Sequence, residues 1–184
     1  MHIAFIGRAR SGKDSAAARL VDQCGYARVA FADPLKEAAL KLDPIVYTYV
    51  SHDGHEATEE RLSEVVGYSG WERAKAEVPE VRRVLQHMGQ GVRDLDPEFW
   101  IRQAVARIES APGPVVVTDC RYRNEAAALK RLGFRIIRVQ RPPHGGELTG
   151  PQHVSETELD DYQADATLFN FGSLQDLWDR VDLL

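Results

Sequence analysis

The sequence predicts an α/β fold of three layers, with helices on both faces of a parallel central sheet. Short apolar runs at His2–Ile6, Val115–Thr118 and Arg135–Val139 alternate with helical spacings. Strands that alternate with helices pair in parallel through right-handed crossovers. The first run also breaks into a glycine-framed loop, Gly7-Arg-Ala-Arg-Ser-Gly12-Lys13, that opens an alanine-rich helix. Ligands of such sheets gather at the carboxyl ends of the strands, which is where this loop falls.

Taken in order, the strand His2–Ile6 leads to a helix from Lys13 to about Gln23. A second strand is expected near Arg28–Phe31, then a helix after Pro34 carried by Leu35, Ala38, Ala39 and Leu42 at helical spacing. Residues 44–79 read as a polar, irregular insert that covers a substrate, with helical pieces near Thr58–Val66 and Trp71–Ala76. Helices at about Glu80–Met88 and Pro97–Ile108 lead through Ala111-Pro-Gly-Pro114 into the buried strand Val115–Thr118. A helix at Asn124–Leu132 ends at Gly133, and strand Arg135–Val139 follows. After a long Pro/Gly loop come a short strand, Ala166–Phe169, and a closing helix from Ser173.

Composition narrows the function. The 184 residues suit one domain, and 23 basic against 28 acidic residues leave a net charge of −5. That balance excludes a general nucleic-acid or membrane-surface binder, so any anion site is built from local arginines. Cys24 and Cys120 form no C-x-x-C pair and no metal spacing, as expected of reduced thiols. No apolar run approaches a membrane span and no leader pattern opens the chain, so a soluble, cytoplasmic protein is expected.

The glycine loop reads as a phosphate cradle. Gly7 and Gly12 permit backbone conformations that turn successive N–H groups toward a polyanion, Lys13 adds a full charge, and the helix adds its dipole. The spacing G-x-x-x-x-G-K fits a nucleoside-triphosphate loop, but Asp14 stands where Ser or Thr usually meets Mg²⁺. Asp14 either organises metal or acceptor, or only favours the dipole, with Ser15 as the nearest hydroxyl for the metal.

Asp119 follows the apolar run Val115–Thr118 and is placed to partner nucleotide-bound Mg²⁺. The next residue is Cys120 rather than a water-activating glutamate, which favours transfer over hydrolysis. Arg121 points to the same crevice and Glu125 lies one helical turn on; the bland alternative makes Asp119 a helix cap and the other two a surface pair. Arg82, Arg83 and Arg93 sit near Phe99-Trp100, a set suited to a second phosphate and a base, or to simple core. Arg138 and Arg141 open a loop of about twenty residues, long enough for a lid. His52-Asp-Gly-His55-Glu56 resembles a metal cluster but reads better as a solvated loop.

Six segments together resemble the bacteriophage deoxynucleoside monophosphate kinase family, within the nucleoside monophosphate kinase group of P-loop proteins. They are Arg10–Ser15, Phe31–Glu37, Arg82–Gly89 with Phe99-Trp100, Asp119-Cys-Arg121 with Glu125, Arg141-Pro with His153 and Glu156, and Ala164–Leu174. Asp14 belongs to that pattern. The resemblance implies a P-loop kinase fold with a helical monophosphate-binding insert at about 44–110 and a lid at about 142–161, in one domain of 1–184. It implies transfer of the γ-phosphoryl of ATP, with Mg²⁺, to a deoxynucleoside monophosphate, giving the diphosphate and ADP. By carry-over, Gly7, Arg10, Gly12, Lys13, Asp14, Ser15, Asn170 and Gly172 hold ATP. Asp14, Ser15 and Asp119 hold the metal directly or through water, and Lys36, Arg82, Arg83, Gly89, Gln90, Trp100, Arg121 and Glu125 hold the monophosphate. Lys13, Arg10, Asp14, Arg121 and Arg141 are the implied catalytic groups. Kinases of dephospho-coenzyme A or phosphomevalonate, and a nucleotide-binding regulator without turnover, remain alternatives. The expected partner is a small molecule, without nucleic-acid polymer or membrane; a homodimer or higher homo-oligomer stays open, and a phage-encoded enzyme would work in the host cytoplasm.

Overall fold

A computed structural model describes residues 1–50, 57–142 and 157–184. In chain order the elements are β1 (His2–Ile6), α1 (Lys13–Cys24), β2 (Ala27–Val29), α2 (Ala32–Leu42), β3 (Ile45–Val50), β4 (Ala57–Arg61) and α3 (Leu62–Glu77). They continue as α4 (Pro79–Leu95), α5 (Phe99–Glu109), β5 (Val115–Val117), α6 (Arg123–Arg131), β6 (Phe134–Gln140), β7 (Ala166–Phe169) and α7 (Leu174–Val181). The residues divide into two compact units, Met1–Phe31 with Ile101–Leu184, and Ala32–Trp100.

The first unit is built on a five-stranded sheet in the order β2-β5-β1-β6-β7, and every pairing in it is parallel. Alternation along β1 sends Ile3 and Phe5 into one core and Ala4 and Ile6 into the other. The first core is completed by Ala16, Ala17 and Leu20 of α1 and Leu177 and Val181 of α7; the second by Ile101, Ala104 and Ile108 of α5 and Ala126 and Leu129 of α6. A strand covered on both faces reads as a continuous apolar run, which is why β1, β5 and β6 were legible in the sequence. Burying each large apolar side chain contributes about 1.5–3 kcal/mol, so this sandwich supplies most of the unit's stability. The three-layer parallel α/β expectation holds.

Beyond β6 the chain re-enters the sheet through Asp165. Its backbone N–H donates to Ile136 O, its Oδ2 accepts from Ile136 N–H at 2.7 Å, and Lys130 Nζ reaches both carboxylate oxygens at 2.8 and 2.9 Å. Lys130 and the Ile136 amide hold the Asp165 carboxyl below its ordinary range. A carboxyl held low stabilises the fold at neutral pH and loses that contribution as pH falls through its lowered value. Asp165→Asn should therefore lower the urea midpoint at neutral pH and flatten its fall in acid. Parallel acid limbs for the two proteins would refute this.

The second unit corrects the expectation for residues 44–79. Instead of an irregular segment, β3 and β4 form an antiparallel hairpin, with Tyr49 opposite Thr58 and Thr48 opposite Glu59. The run Ile45-Val-Tyr-Thr-Tyr-Val50 is β-branched and aromatic, and it was the available signal. Val46 is buried with Ala39, Leu62, Val65, Ala74 and Val81, while Tyr47 and Tyr49 stay exposed. The first helical piece, expected at Thr58–Val66, begins only at Leu62 after β4, and the second, expected at Trp71–Ala76, follows Gly70, whose φ of 71° and ψ of 163° divide α3 into two helical parts. Pro79 opens α4 at a position where its missing N–H costs nothing, and the helix runs seven residues past the expected Met88, to Leu95. The insert is thus a hairpin with helices rather than wholly helical. The cluster His52–Glu56 lies outside the described residues, as do residues 143–156 of the expected lid. No helix among the described residues is long and apolar enough to cross a membrane.

Candidate active site

The loop after β1 is shaped by contacts that leave no room for side chains at its two glycines. Gly7 has φ 138°, and a Cβ there would collide with the carbonyl oxygen of Val139. Gly12 has φ 104°, and a Cβ there would stand 2.5 Å from Asn170 Nδ2. Between them Arg10 also adopts a left-handed φ of 61°, which is uncommon for a residue with a side chain. The loop delivers Gly12 as the N-cap of α1, and the first amide bonded back into the helix is Ala16 N–H, to Gly12 O at 2.9 Å. Gly12 offers no capping side chain, so the helix end presents its amides and its dipole to an anion. The helices α6 and α7 differ: Ser173 Oγ accepts from Asp176 N–H at the start of α7, and Glu125 caps α6.

Lys13 crosses its own loop, donating from Nζ to Gly7 O and Arg8 O, both at 2.7 Å. Asp14 is exposed in the first turn of α1 and Ser15 is half-buried beside it. Asp119 stands just past the end of β5, the strand that pairs with β1, and its Oδ1 accepts from Phe31 N–H at 2.9 Å. That bond ties the exit of β2 to β5 and fixes the carboxylate, so Asp119 is a strand-end tether rather than a cap of α6. Cys120 is 3% exposed; burial, with Glu125 and Asp119 adding to it, pushes its thiol well up. A neutral buried thiol activates no water, in keeping with the transfer chemistry expected from its position.

Glu125 is 1% exposed, and its Oε2 accepts from the backbone N–H groups of Arg121 and Tyr122 at 2.8 and 3.1 Å. Glu125 is a buried capping carboxylate that shapes the backbone carrying Arg121. Leaving two amides without that acceptor costs about 1–3 kcal/mol. Glu125→Ala should lower unfolding stability by about that amount, while Glu125→Gln, which keeps an acceptor oxygen, should lose less. Equal urea midpoints for all three proteins would refute the capping role.

The arginines singled out from the sequence sort by partner. Arg83 binds Glu80, with Nε 2.7 Å from Oε2, and Arg138 Nη2 donates to the carbonyls of Leu159 and Tyr162 at 2.8 Å. Arg83 thus makes an exposed pair within its own helix, whereas Arg138 holds the turn at 157–162. Arg10, Arg82 and Arg141 are exposed and have no bonded partner among the described residues. Arg138 acts with Arg8, which pairs with Asp160 at 2.8 Å, and with Arg123, which pairs with Asp161, to pin residues 157–162; Leu159 is buried in the core beneath them. The last residues of the expected lid are therefore part of the body of the first unit.

In the second unit, Trp100 is 4% exposed, its Nε1–H donates to Gly89 O at 3.1 Å, and Phe99 packs edge-on against it. The ring has no free face for a base, so the core alternative describes it. Gly89 is buried where α2 meets α4, with Leu35 Cδ2 3.0 Å from the place of a Cβ, and Gln90 Nε2 donates to Asp94. Lys36 rests over the Trp71 ring, 5.7 Å from its centroid, a contact the sequence did not announce because α2 and α3 meet only in the fold. In the first unit, Asn170 is buried and bonded to the loop, and Gly172 makes room for the Asp176 carboxylate.

Anion donors gathered at one end of a parallel sheet, beside a carboxylate suited to a divalent cation, are the arrangement of a P-loop phosphotransferase. The chain belongs to the deoxynucleotide monophosphate kinase family, whose sequence pattern matches residues 71–181. It is 25% identical over 186 residues to a putative deoxynucleotide monophosphate kinase of Acanthamoeba polyphaga mimivirus, covering 97% of this chain and 93% of that protein. It is 27% identical over 107 residues to the deoxynucleotide monophosphate kinase of Enterobacteria phage T4, covering 55% of this chain and 43% of that one. An uncharacterized protein, ORF76, of Ictalurid herpesvirus 1 is 37% identical over 102 residues, covering 52% of this chain and 42% of its own length. The chain thus spans nearly all of the mimivirus relative and under half of the other two.

Proposed function

We propose that the chain transfers the γ-phosphoryl of ATP to a deoxynucleoside monophosphate, with Mg²⁺ as the metal. The observation that carries this reading is the uncapped amino end of α1, presented by Gly12 and Lys13 one strand away from Asp119. Its donor set, backbone amides with an ammonium and the exposed guanidinium of Arg10, matches the oxygens of a triphosphate. Ser15, Asp119 and Asp14 are the groups that would hold the metal, directly or through water. When bound, the ion neutralises phosphate charge and orients the oxygens.

The protein's share of the work is electrostatic. An acceptor phosphate is already ionised and nucleophilic, so no general base is required; the obstacle is bringing two polyanions into line. Lys13 and Arg10 meet charge on the transferred group, and Arg141 and Arg121 lie at the strand ends of the same unit. On the second unit, Arg82 and Lys36 are the cations we assign to the acceptor phosphate. Arg82 has no bonded partner among the described residues, and Lys36 sits on an aromatic face. A cytoplasmic site of action is part of this reading, because it suits an enzyme that uses ATP and a deoxynucleotide.

A coupled assay of ADP release tests this across deoxy- and ribonucleoside monophosphates, dephospho-coenzyme A and phosphomevalonate. Metal-dependent turnover should appear with at least one deoxynucleoside monophosphate and not with the last two. ADP release with none of the deoxynucleotides would overturn the proposal.

A further inference from the structure

Asn170 stands at the exit of β7 and is 7% exposed. Its backbone N–H donates to Gln140 O at 2.7 Å, fixing it to the end of β6, and its side-chain Nδ2 donates to Ser11 O at 2.9 Å. Ser11 itself is buried, and Gly12 lies against the same amide so closely that no Cβ fits between them. The amide is therefore committed to the loop and wedged there.

A trans peptide points its C=O and N–H in opposite directions. Holding Ser11 O on Asn170 turns the N–H of Gly12 away from Asn170, at the amino end of α1. Gly12 has a φ of 104° here, a conformation that glycine adopts at no steric cost. Lys13 clamps the front of the loop through Gly7 O and Arg8 O, and Asn170 clamps its back through Ser11 O. The two clamps differ in kind. Lys13 carries the charge that a phosphate attracts, whereas the neutral amide of Asn170 is buried and has no reason to leave its carbonyl when an anion arrives.

We infer that Asn170 is a positioning residue. It sets the orientation of the Ser11–Gly12 peptide, and so the anion affinity of the loop, without itself touching the nucleotide. This rests on the nucleotide-binding reading above and replaces direct contact by Asn170 with action through the loop. It also requires a donor at this position, since an acceptor in its place would face the Ser11 oxygen with a second oxygen and repel the phosphates.

The test is calorimetric titration with ADP, and separately with a deoxynucleoside monophosphate, on the full chain and on Asn170→Ala and Asn170→Asp, with urea unfolding of each. ADP affinity of Asn170→Ala should fall at least about tenfold, a loss of about 1.4 kcal/mol, while monophosphate affinity stays within about twofold. Asn170→Asp should lose at least as much at pH 8, then regain ADP affinity relative to the unsubstituted chain as pH falls. Its carboxyl, facing an oxygen and a phosphate site, protonates at raised pH and again offers a donor to Ser11 O. A merely structural role would not produce that rescue, and Asn170→Ala should lack it. Unchanged ADP affinity in folded Asn170→Ala, or loss of both ligands in proportion to the unfolded fraction, would overturn the inference. An unsubstituted chain that binds no ADP would take down the parent reading, and this inference with it, before any substitution is compared.

Discussion

Lys13→Ala should lower turnover at least about a hundredfold while leaving most of the protein folded, because the two jobs of this side chain differ in size. Its bonds to Gly7 O and Arg8 O are partly exposed, and each is worth about 0.5–1.5 kcal/mol to folding. A preorganised charge at the transferred phosphoryl is worth about 2.7–4 kcal/mol in the barrier, or a hundred- to thousandfold in rate. The kinetic loss should therefore exceed the stability loss. Lys13→Arg keeps the charge but spreads it over a planar fork whose geometry differs from that of an ammonium, so it should recover little activity. Coupled ADP release at saturating substrates, with urea unfolding of each variant, checks this. Near-normal turnover in a folded Lys13→Ala protein would remove Lys13 from the reaction.

Trp100→Ala should cost about 3–5 kcal/mol of stability and should affect both substrates together. The sequence allowed a different outcome, in which an aromatic beside an arginine-bearing helix stacks on the acceptor base. Stacking is worth about 1–3 kcal/mol and would show in acceptor binding alone. Burial decides between them, since the indole is 4% exposed and its N–H is spent on Gly89 O. Trp100→Phe keeps the ring and loses the bond, so it should fall between, about 0.5–1.5 kcal/mol below the unsubstituted chain. A stable Trp100→Ala protein with only the acceptor Michaelis constant raised would restore the stacking role.

Where the expectations succeeded, the signal was local or doubly buried. The spans His2–Ile6 and Ala166–Phe169 match β1 and β7 residue for residue. The loop could be read because its chemistry is contiguous: two glycines, a lysine and a helix start within a few residues. The hairpin was missed although Ile45–Val50 has strand composition, because its partner, Thr58-Glu-Glu-Arg61, is polar and carries no apolar alternation of its own. A strand stabilised by pairing at the edge of a small unit leaves little trace in hydropathy.

The sequence by itself determined the order of strands and helices in the first unit, the parallel sheet they imply, and the place of the phosphate loop. All of these follow from neighbours in the chain and from the period at which apolar residues recur. Which cations are spoken for was decided only by the tertiary structure. Arg83 is the exception, since its partner Glu80 lies three residues before it on the same helix. Arg138 and Arg141 are three apart, yet the turn at 157–162 claims only Arg138. Asn170 shows the same limit across the whole chain, because its partner Ser11 lies 159 residues away. A side chain's ionic and hydrogen-bonding partners depend on distance in space, and only folding brings such residues to within 3 Å of one another.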